Sequence, residues 1–176
     1  MKAASLVYIM VLAGALWVAA AGASRAQTVN PLDNIPEKMP NDIPYGAPIG
    51  LERAERVLAA ALAESQKHAW KHVCAVVDAG ANLVSLKRMD GAQLASIEIA
   101  AHKARTSVKF RRETKAFEAS IQGGNQYQLT LDDVIASRGG VPLIDGGKLI
   151  GAIGCSGGTG SQDEVVARAG VAALDR

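Results

Sequence analysis

Arg88-Met89-Asp90-Gly91 is a stretch whose side chains could do chemistry. A guanidinium there presents a planar fork of donors that suits a carboxylate, such as a haem propionate or an organic acid. The same residues also suit plain structure, with Asp90 as a helix N-cap and Gly91 as a turn residue. Both readings stay open on the residues alone. A second stretch runs from Gly151 to Gly160 (GAIGCSGGTG), after an apolar run and before a helical pattern. Backbone amides of Ser156, Gly157 and Gly158 could hold an anion at the helix N-terminus, or the glycines could serve a tight turn. No Walker lysine is present, and the spacing is not a dinucleotide fingerprint. Asp163 falls in the first turn of the next helix, where it would favour the helix dipole or face a ligand.

Metal and nucleophile chemistry find less support. Glu98 and His102 are four apart and could both touch one metal ion, yet two ligands do not complete a site. His68, His72 and His102 each carry a ring suited to haem iron, His102 slightly ahead. His68 and His72 read as surface residues. Ser156 lacks the flanking pattern of a nucleophile elbow, and no triad can be assigned. No CxxC or CxxCH occurs.

These residues must be positioned by a small set of elements. Leu51, Ala54, Val57, Leu58, Ala61, Leu62 and Ser65 recur with helical period, predicting an amphipathic helix that fades near Lys67–Ala69. Val73–Val77 and Leu83–Met89, separated by a turn at Asp78–Asn82, predict a β-hairpin. A second helix is expected over about residues 92–110, with Leu94, Ile97, Ala101, Ala104 and Val108 buried. On it Lys103, Thr106 and Phe110 lie on one side, beside the polar face that carries His102. A short helix is expected from Thr114, the candidate N-cap, to Ile121, then a loop over Gln122–Thr130. Pro142–Ile144 and Lys148–Cys155, joined at Asp145-Gly146-Gly147, predict a second hairpin. A last helix is expected over about Gln162–Leu174. This order argues for an antiparallel sheet with helices packed on it.

The chain has 176 residues, enough for one domain with its own core. Residues 1–26 read as a secretory signal peptide: Lys2, then an uncharged stretch from Ala3 to Gly22, then small residues up to Ala26. The apolar stretch is also long enough to span a bilayer. A membrane contact is expected only if it is retained. Residues 27–50 form a Pro-rich arm, read as extended and either mobile or draped over a partner subunit. The domain proper is expected over 51–176. Removing Lys2 and Arg25 brings the formal charge from +2 to zero. With aromatics at only 4%, the exported domain offers neither the charge nor the stacking platforms of a nucleic-acid binder. Cys74 and Cys155 lie in apolar, strand-like runs; two buried free thiols are the plain reading, and export permits a disulfide.

Taken together, the pieces resemble the GlcG/HbpS family of haem-binding and haem-degrading-type proteins. The resemblance rests on Val76-Val77-Asp78-Ala79-Gly80, Arg88–Ala92, Lys103-Ala104-Arg105-Thr106 with Phe110, Gly139–Leu143, Gly151–Gly154, Ser156–Thr159 and Gln162-Asp163-Glu164. It covers about residues 50–175. Ala81 stands where the family usually has a second glycine, and His102 matches no fixed family position. The resemblance implies an α+β, profilin-like fold with a five-stranded antiparallel sheet, often assembled into homo-oligomers. It implies that the first and last strands are neighbours, which makes a Cys74–Cys155 disulfide testable. It also implies a protein that binds haem or another tetrapyrrole, or iron released from it; with the signal peptide, a periplasmic or secreted location is expected. The ligand region would be Arg88, Asp90, Gly91, Lys103, Thr106, Phe110, Ser156, Gly157, Gly158 and Asp163. Arg88 and Lys103 would pair with carboxylates, and Phe110 would touch an apolar ring. Two alternatives remain beside it: an enzyme or accessory protein acting on a small hydroxy acid such as glycolate, and an oligomeric assembly module.

Overall fold

Ala54, Val57, Leu58, Ala61 and Ser65 recur at three- and four-residue steps, which lines them along one helical face. They are the buried stripe of α1, Leu51–Lys67. The computed structural model describes residues 33–174. The signal expected over residues 1–26 and the start of the arm lie outside the described residues. α1 stops where its pattern fades, with His68 at the C-cap and Ala69 in the left-handed region at φ 55°. Leu51, at the first turn, is exposed.

Both expected hairpins form. β1 (Val73–Asp78) pairs with β2 (Leu83–Arg88), and β3 (Gly140–Asp145) pairs with β4 (Lys148–Ser156). In the first turn Asp78 Oδ1 accepts the N–H groups of Gly80 and Asn82 at 2.8 and 2.9 Å. Ala81 sits there at φ 65°, a region that costs an L residue about 1 kcal/mol. Ala81→Gly is therefore expected to stabilise the fold by about 0.5–1 kcal/mol. A urea midpoint that rises at constant m value would show it; a lower midpoint would mean that the methyl group's packing outweighs the strain. The second hairpin turns on Gly146 and Gly147, whose φ angles of 52° and 76° are the pair a type I′ turn requires.

The strands form one antiparallel sheet in the order β2-β1-β4-β3. The resemblance implies five strands; the described residues form four. A fifth is begun at Tyr45, which makes an isolated parallel bridge with Leu149. Gly46 donates to the Leu149 carbonyl, and Leu149 to the Pro44 carbonyl, each at 2.8 Å. Pro44 and Pro48 have no N–H to extend this ladder. Residues 44–49 of the arm are thus tied to β4 of their own chain.

The central strands are covered on both faces. Cys74, Val76, Ile153 and Cys155 pack with α1 and α4 (Gly160–Val171). Val73, Ala75, Val77 and Ala152 turn the other way, in clusters shared with Ala100, Ala104 and Val108 of α2 (Ser96–Lys109). Cys74 and Cys155 face each other across β1 and β4 and are joined by a disulfide. α2 lies very close to the sheet. Gly140 and Gly154 are paired across β3 and β4. A Cβ on Gly154 would stand 2.1 Å from the Ala100 carbonyl oxygen, and one on Gly140 2.4 Å from that of Lys103. These two glycines make the seat that holds α2, and with it Lys103.

α2 begins at Ser96 rather than near residue 92. Asp90 therefore lies outside the helix and is not its N-cap; that position is Ala95. Leu94, placed in the buried stripe by its spacing, precedes the helix and is 78% exposed. α3 (Thr114–Gln122) starts with Thr114, whose hydroxyl accepts the Gly140 N–H at 2.9 Å instead of capping the helix. A short 3-10 turn, Gln126–Thr130, follows.

Arg138 links α3 to α4. It donates to Glu118 at 2.9 Å and reaches Glu164 at 3.5 Å. Hydrogen bonds from Arg138 hold the Glu118 carboxyl below the usual glutamate range. Burial pushes Glu164 up, but hydrogen bonds from Arg168 and Lys115 outweigh it and bring the carboxyl low as well. Both groups ionise more readily folded than unfolded. Their stabilisation is therefore complete above the ordinary glutamate value of about 4.3, and is lost as pH falls through the lower folded values. Stability should decline below about pH 4.3, and the decline should flatten in the Glu118→Gln variant. An unchanged acid limb in that variant would remove Glu118 from the account.

Candidate functional site

Successive residues entering β1 point to opposite faces. Lys71 is exposed and His72 is fully buried, because the strand it leads into is central. The surface reading of His72 is thus corrected. His72 forms a continuous buried chain with three other polar side chains. Ser65 Oγ lies 2.7 Å from His72 Nδ1 and donates to the Trp70 carbonyl at 3.1 Å. His72 Nε2 lies 3.1 Å from Asp163 Oδ1. Lys103 Nζ donates to Asp163 Oδ2 at 2.6 Å, and the Gly158 N–H donates to Oδ1 at 3.0 Å. Lys103 and Asp163 are 1% and 3% exposed.

Local structure sets this arrangement. The glycine seat brings Lys103 onto the sheet. Thr159 and Gln162 form a capping box that fixes the first turn of α4 and turns Asp163 inward. Gly139, at φ 117°, lets the backbone pass close: a Cβ there would stand 2.7 Å from Asp163 Cβ and 3.2 Å from Lys103 Nζ. Asp163 lies in the first turn of α4 and is an ion-pair partner of Lys103.

Ser65, His72 and Asp163 are linked in the order of a nucleophilic triad. The hydroxyl is fully buried and engaged with a carbonyl, so no substrate reaches it. The chain balances buried charge and ties α1, β1, α2 and α4 together. The glycine-rich loop serves it. Gly158 and Thr159 give their N–H groups to Asp163 and Gln162, at 3.0 and 2.8 Å. Gly157 leaves room for the Lys71 carbonyl, 2.3 Å from where a Cβ would stand. Ser156 donates to Ser96 at 3.2 Å.

Arg88 and Asp90 lie elsewhere. With Leu62, Trp70, Lys71 and Met89 they line an open groove of about 570 Å³. Gly91, at φ 76°, admits the Lys71 side chain, whose Nζ would be 3.0 Å from a Cβ. Trp70 stacks on His68 at 4.3 Å between ring centroids and lies 6.0 Å from the His72 ring. The groove therefore backs onto the buried chain. Thr106 and Phe110 are in a third place, toward the other end of α2. Thr106 donates to the Asp133 carbonyl at 2.6 Å, and Phe110 packs edge-on against Phe117 at 5.1 Å. The residues expected in one ligand region thus divide among a buried ion-pair chain, an open groove and a packing contact.

His102 Nε2 is buried without a hydrogen-bond partner. Among the described residues no group of three or more His, Cys, Asp or Glu side chains could hold a metal ion, so Glu98 and His102 stay an incomplete pair. Sequence reasoning overlooked Ser65, Trp70 and Met89 as site residues. Ser65 had a legible signal, as a polar residue in the apolar stripe of α1. So did the capping box, as Thr159 followed three residues later by Gln162.

The family model of haem degrading HbpS-like proteins matches residues 49–172. Protein GlcG of Escherichia coli (strain K12) is 40% identical over 105 residues, which is 60% of this chain and 78% of that protein. Among solved structures, Klebsiella pneumoniae protein ORFY superposes with a TM-score of 0.70 at 28% identity, covering 81% of this chain and 97% of its own. PduOC in its complex with haem superposes with a TM-score of 0.66 at 29% identity, covering 72% of this chain and 95% of its own.

Proposed function

This chain belongs to the HbpS-like haem degrading protein family, and from that premise we propose that it binds haem in the groove lined by Trp70, Lys71, Arg88 and Met89. The observation that carries the reading is the composition of that groove. Haem presents a flat apolar ring and two carboxylates. Trp70, Leu62 and the Met89 side chain offer apolar surface to the ring. Lys71 and Arg88 offer cations to the propionates. The Met89 thioether is a donor suited to haem iron. A volume of about 570 Å³ falls within the range of small-molecule sites. The solved haem complex of PduOC supports the same ligand. Bound haem would supply a redox-active iron; the chain's own residues bind and orient it.

Hemin titrated into the purified protein is expected to give a Soret band that saturates at one equivalent. Arg88→Ala should weaken binding about tenfold by removing a charge-assisted pair. An unchanged hemin spectrum at micromolar protein would overturn the reading. So would Arg88→Ala and Trp70→Ala variants that both bind as the parent does.

The chain is read as an exported protein that handles haem or its iron. Lys2, the uncharged stretch that follows and the small residues ending at Ala26 support export. The Cys74–Cys155 bond agrees, since disulfides persist in oxidising compartments. Intact-mass measurement after expression in a Gram-negative host is expected to find Gln27 at the N-terminus. A homo-oligomeric state is supported by the exposed Tyr127, Leu129 and Leu131 of one surface turn. Light scattering reads it directly.

A further inference from the structure

A second groove, of about 600 Å³, shares no lining residue with the haem groove. Its apolar lining comes from Val141, Pro142 and Ile144 of β3, Ala116 and Ala119 of α3, and Val171 of α4. Four cations and one carboxylate line it too: Arg111, Arg112, Lys115 and Arg168, with Glu113. The cations differ in how far they are neutralised. Arg168 is held by Glu113 at 2.7 Å and Glu164 at 2.8 Å. Lys115 shares Glu164 at 3.2 Å. Arg111 reaches the exposed Asp42 only at 3.4 Å. Arg112 has no carboxylate partner among the described residues. Its Nε donates to the Phe110 carbonyl at 3.2 Å, and its guanidinium lies 5.1 Å from the Phe117 ring centroid. The terminal donors of Arg112 are left for another acceptor.

Arg111 follows the C-cap of α2 at φ 53°, where glycine or asparagine is the ordinary choice. A branched or long side chain there costs free energy. This turn puts two consecutive arginines into the lining of an apolar groove. Loss of water from such a groove strengthens an arginine–carboxylate pair.

We propose that this groove binds a linear aliphatic carboxylate, its chain along the β3 and α3 side chains and its head on Arg112 with Arg111. A linear chain covers the apolar lining, which a small hydroxy acid would leave bare. The inference stands apart from the haem reading, because the two grooves have no residue in common.

Calorimetric titration with dodecanoate below its micelle concentration is expected to show one saturable site. Arg112→Gln should weaken it about tenfold or more through loss of the charged fork. Ala119→Glu, which adds a carboxylate to the groove, should do the same. Dodecanol should bind much more weakly, and Arg88→Ala should bind dodecanoate as the parent does. Absence of saturable heat overturns the proposal. So does undiminished binding by Arg112→Gln, equal binding of dodecanol, or loss of dodecanoate binding in Arg88→Ala.

Discussion

Asp163→Ala is expected to destabilise the fold by about 3–5 kcal/mol, the cost of leaving buried charge without its partner. The carboxylate stands between two groups that are almost fully buried, Lys103 at 2.6 Å and His72 at 3.1 Å. It also takes the Gly158 N–H. Removing it strips Lys103 and the Gly158 N–H of their acceptor and takes away the partner of His72 Nε2. Neither side chain can turn to water, since Lys103 is 1% exposed and His72 is fully enclosed. Asp163→Asn should fall short of the alanine effect, because an amide oxygen still accepts the Gly158 N–H. It leaves the Lys103 charge uncompensated, however, so it remains costly. Adding Lys103→Met removes that charge with little change of volume. The double variant Lys103→Met, Asp163→Asn should therefore be more stable than Asp163→Asn alone. The resulting coupling should be about 1 kcal/mol or more in a double-mutant cycle by urea unfolding. A loss below about 1 kcal/mol for Asp163→Ala would show that water reaches the pair. Strict additivity in the cycle would show that the two side chains do not act together.

This pairing explains which parts of the site can be read from sequence. Turns are local, so Asp78–Asn82 and Asp145–Gly147 announce both hairpins through residue types alone. The neighbouring placement of Cys74 and Cys155 follows from strand order, which the family resemblance supplies. Lys103 and Asp163 are conspicuous in the motifs but carry no mark of being partners, since a contact across 60 residues has no local pattern. His72 is harder still. A histidine next to Lys71 at a helix exit has the look of a surface residue until β1 is known to be central. The division of Arg88 from Lys103 has the same origin. Both belong to one motif set, but one ends an exposed edge strand and the other is pressed onto the sheet by Gly140 and Gly154. The start of α2 misleads for a different reason. Ala92 to Ala95 are good helix formers, yet the helix begins only at Ser96, where the side chains become buried against the sheet. That the described residues form four strands is a matter of donors, because Pro44 and Pro48 break the ladder that Tyr45 begins.

The disulfide carries the second large effect. Cys74 and Cys155 are 81 residues apart in sequence, so the bond closes a long loop of the unfolded chain. The loop-closure estimate for that length is about 4.5 kcal/mol, and measured losses are typically 2–4 kcal/mol. The Cys74→Ala, Cys155→Ala variant is accordingly expected to lose about 2–4 kcal/mol, or about 5–15 °C in Tm for a chain of this size. The m value tells where the effect arises. If the bond acts on the unfolded ensemble, its removal lets that ensemble expand and the m value rises. If the loss is only a packing defect between β1, β4 and the α1–α4 layer, the m value stays constant. Both cysteines are fully buried, so dithiothreitol should reduce the native protein slowly and the partly unfolded protein fast. The same measurement bears on where the protein works. A chain kept reduced would lose this stabilisation, whereas an exported chain retains it. Oxidised and reduced forms that melt within about 1 °C of each other would show that the bond adds nothing, and would remove the disulfide as support for export.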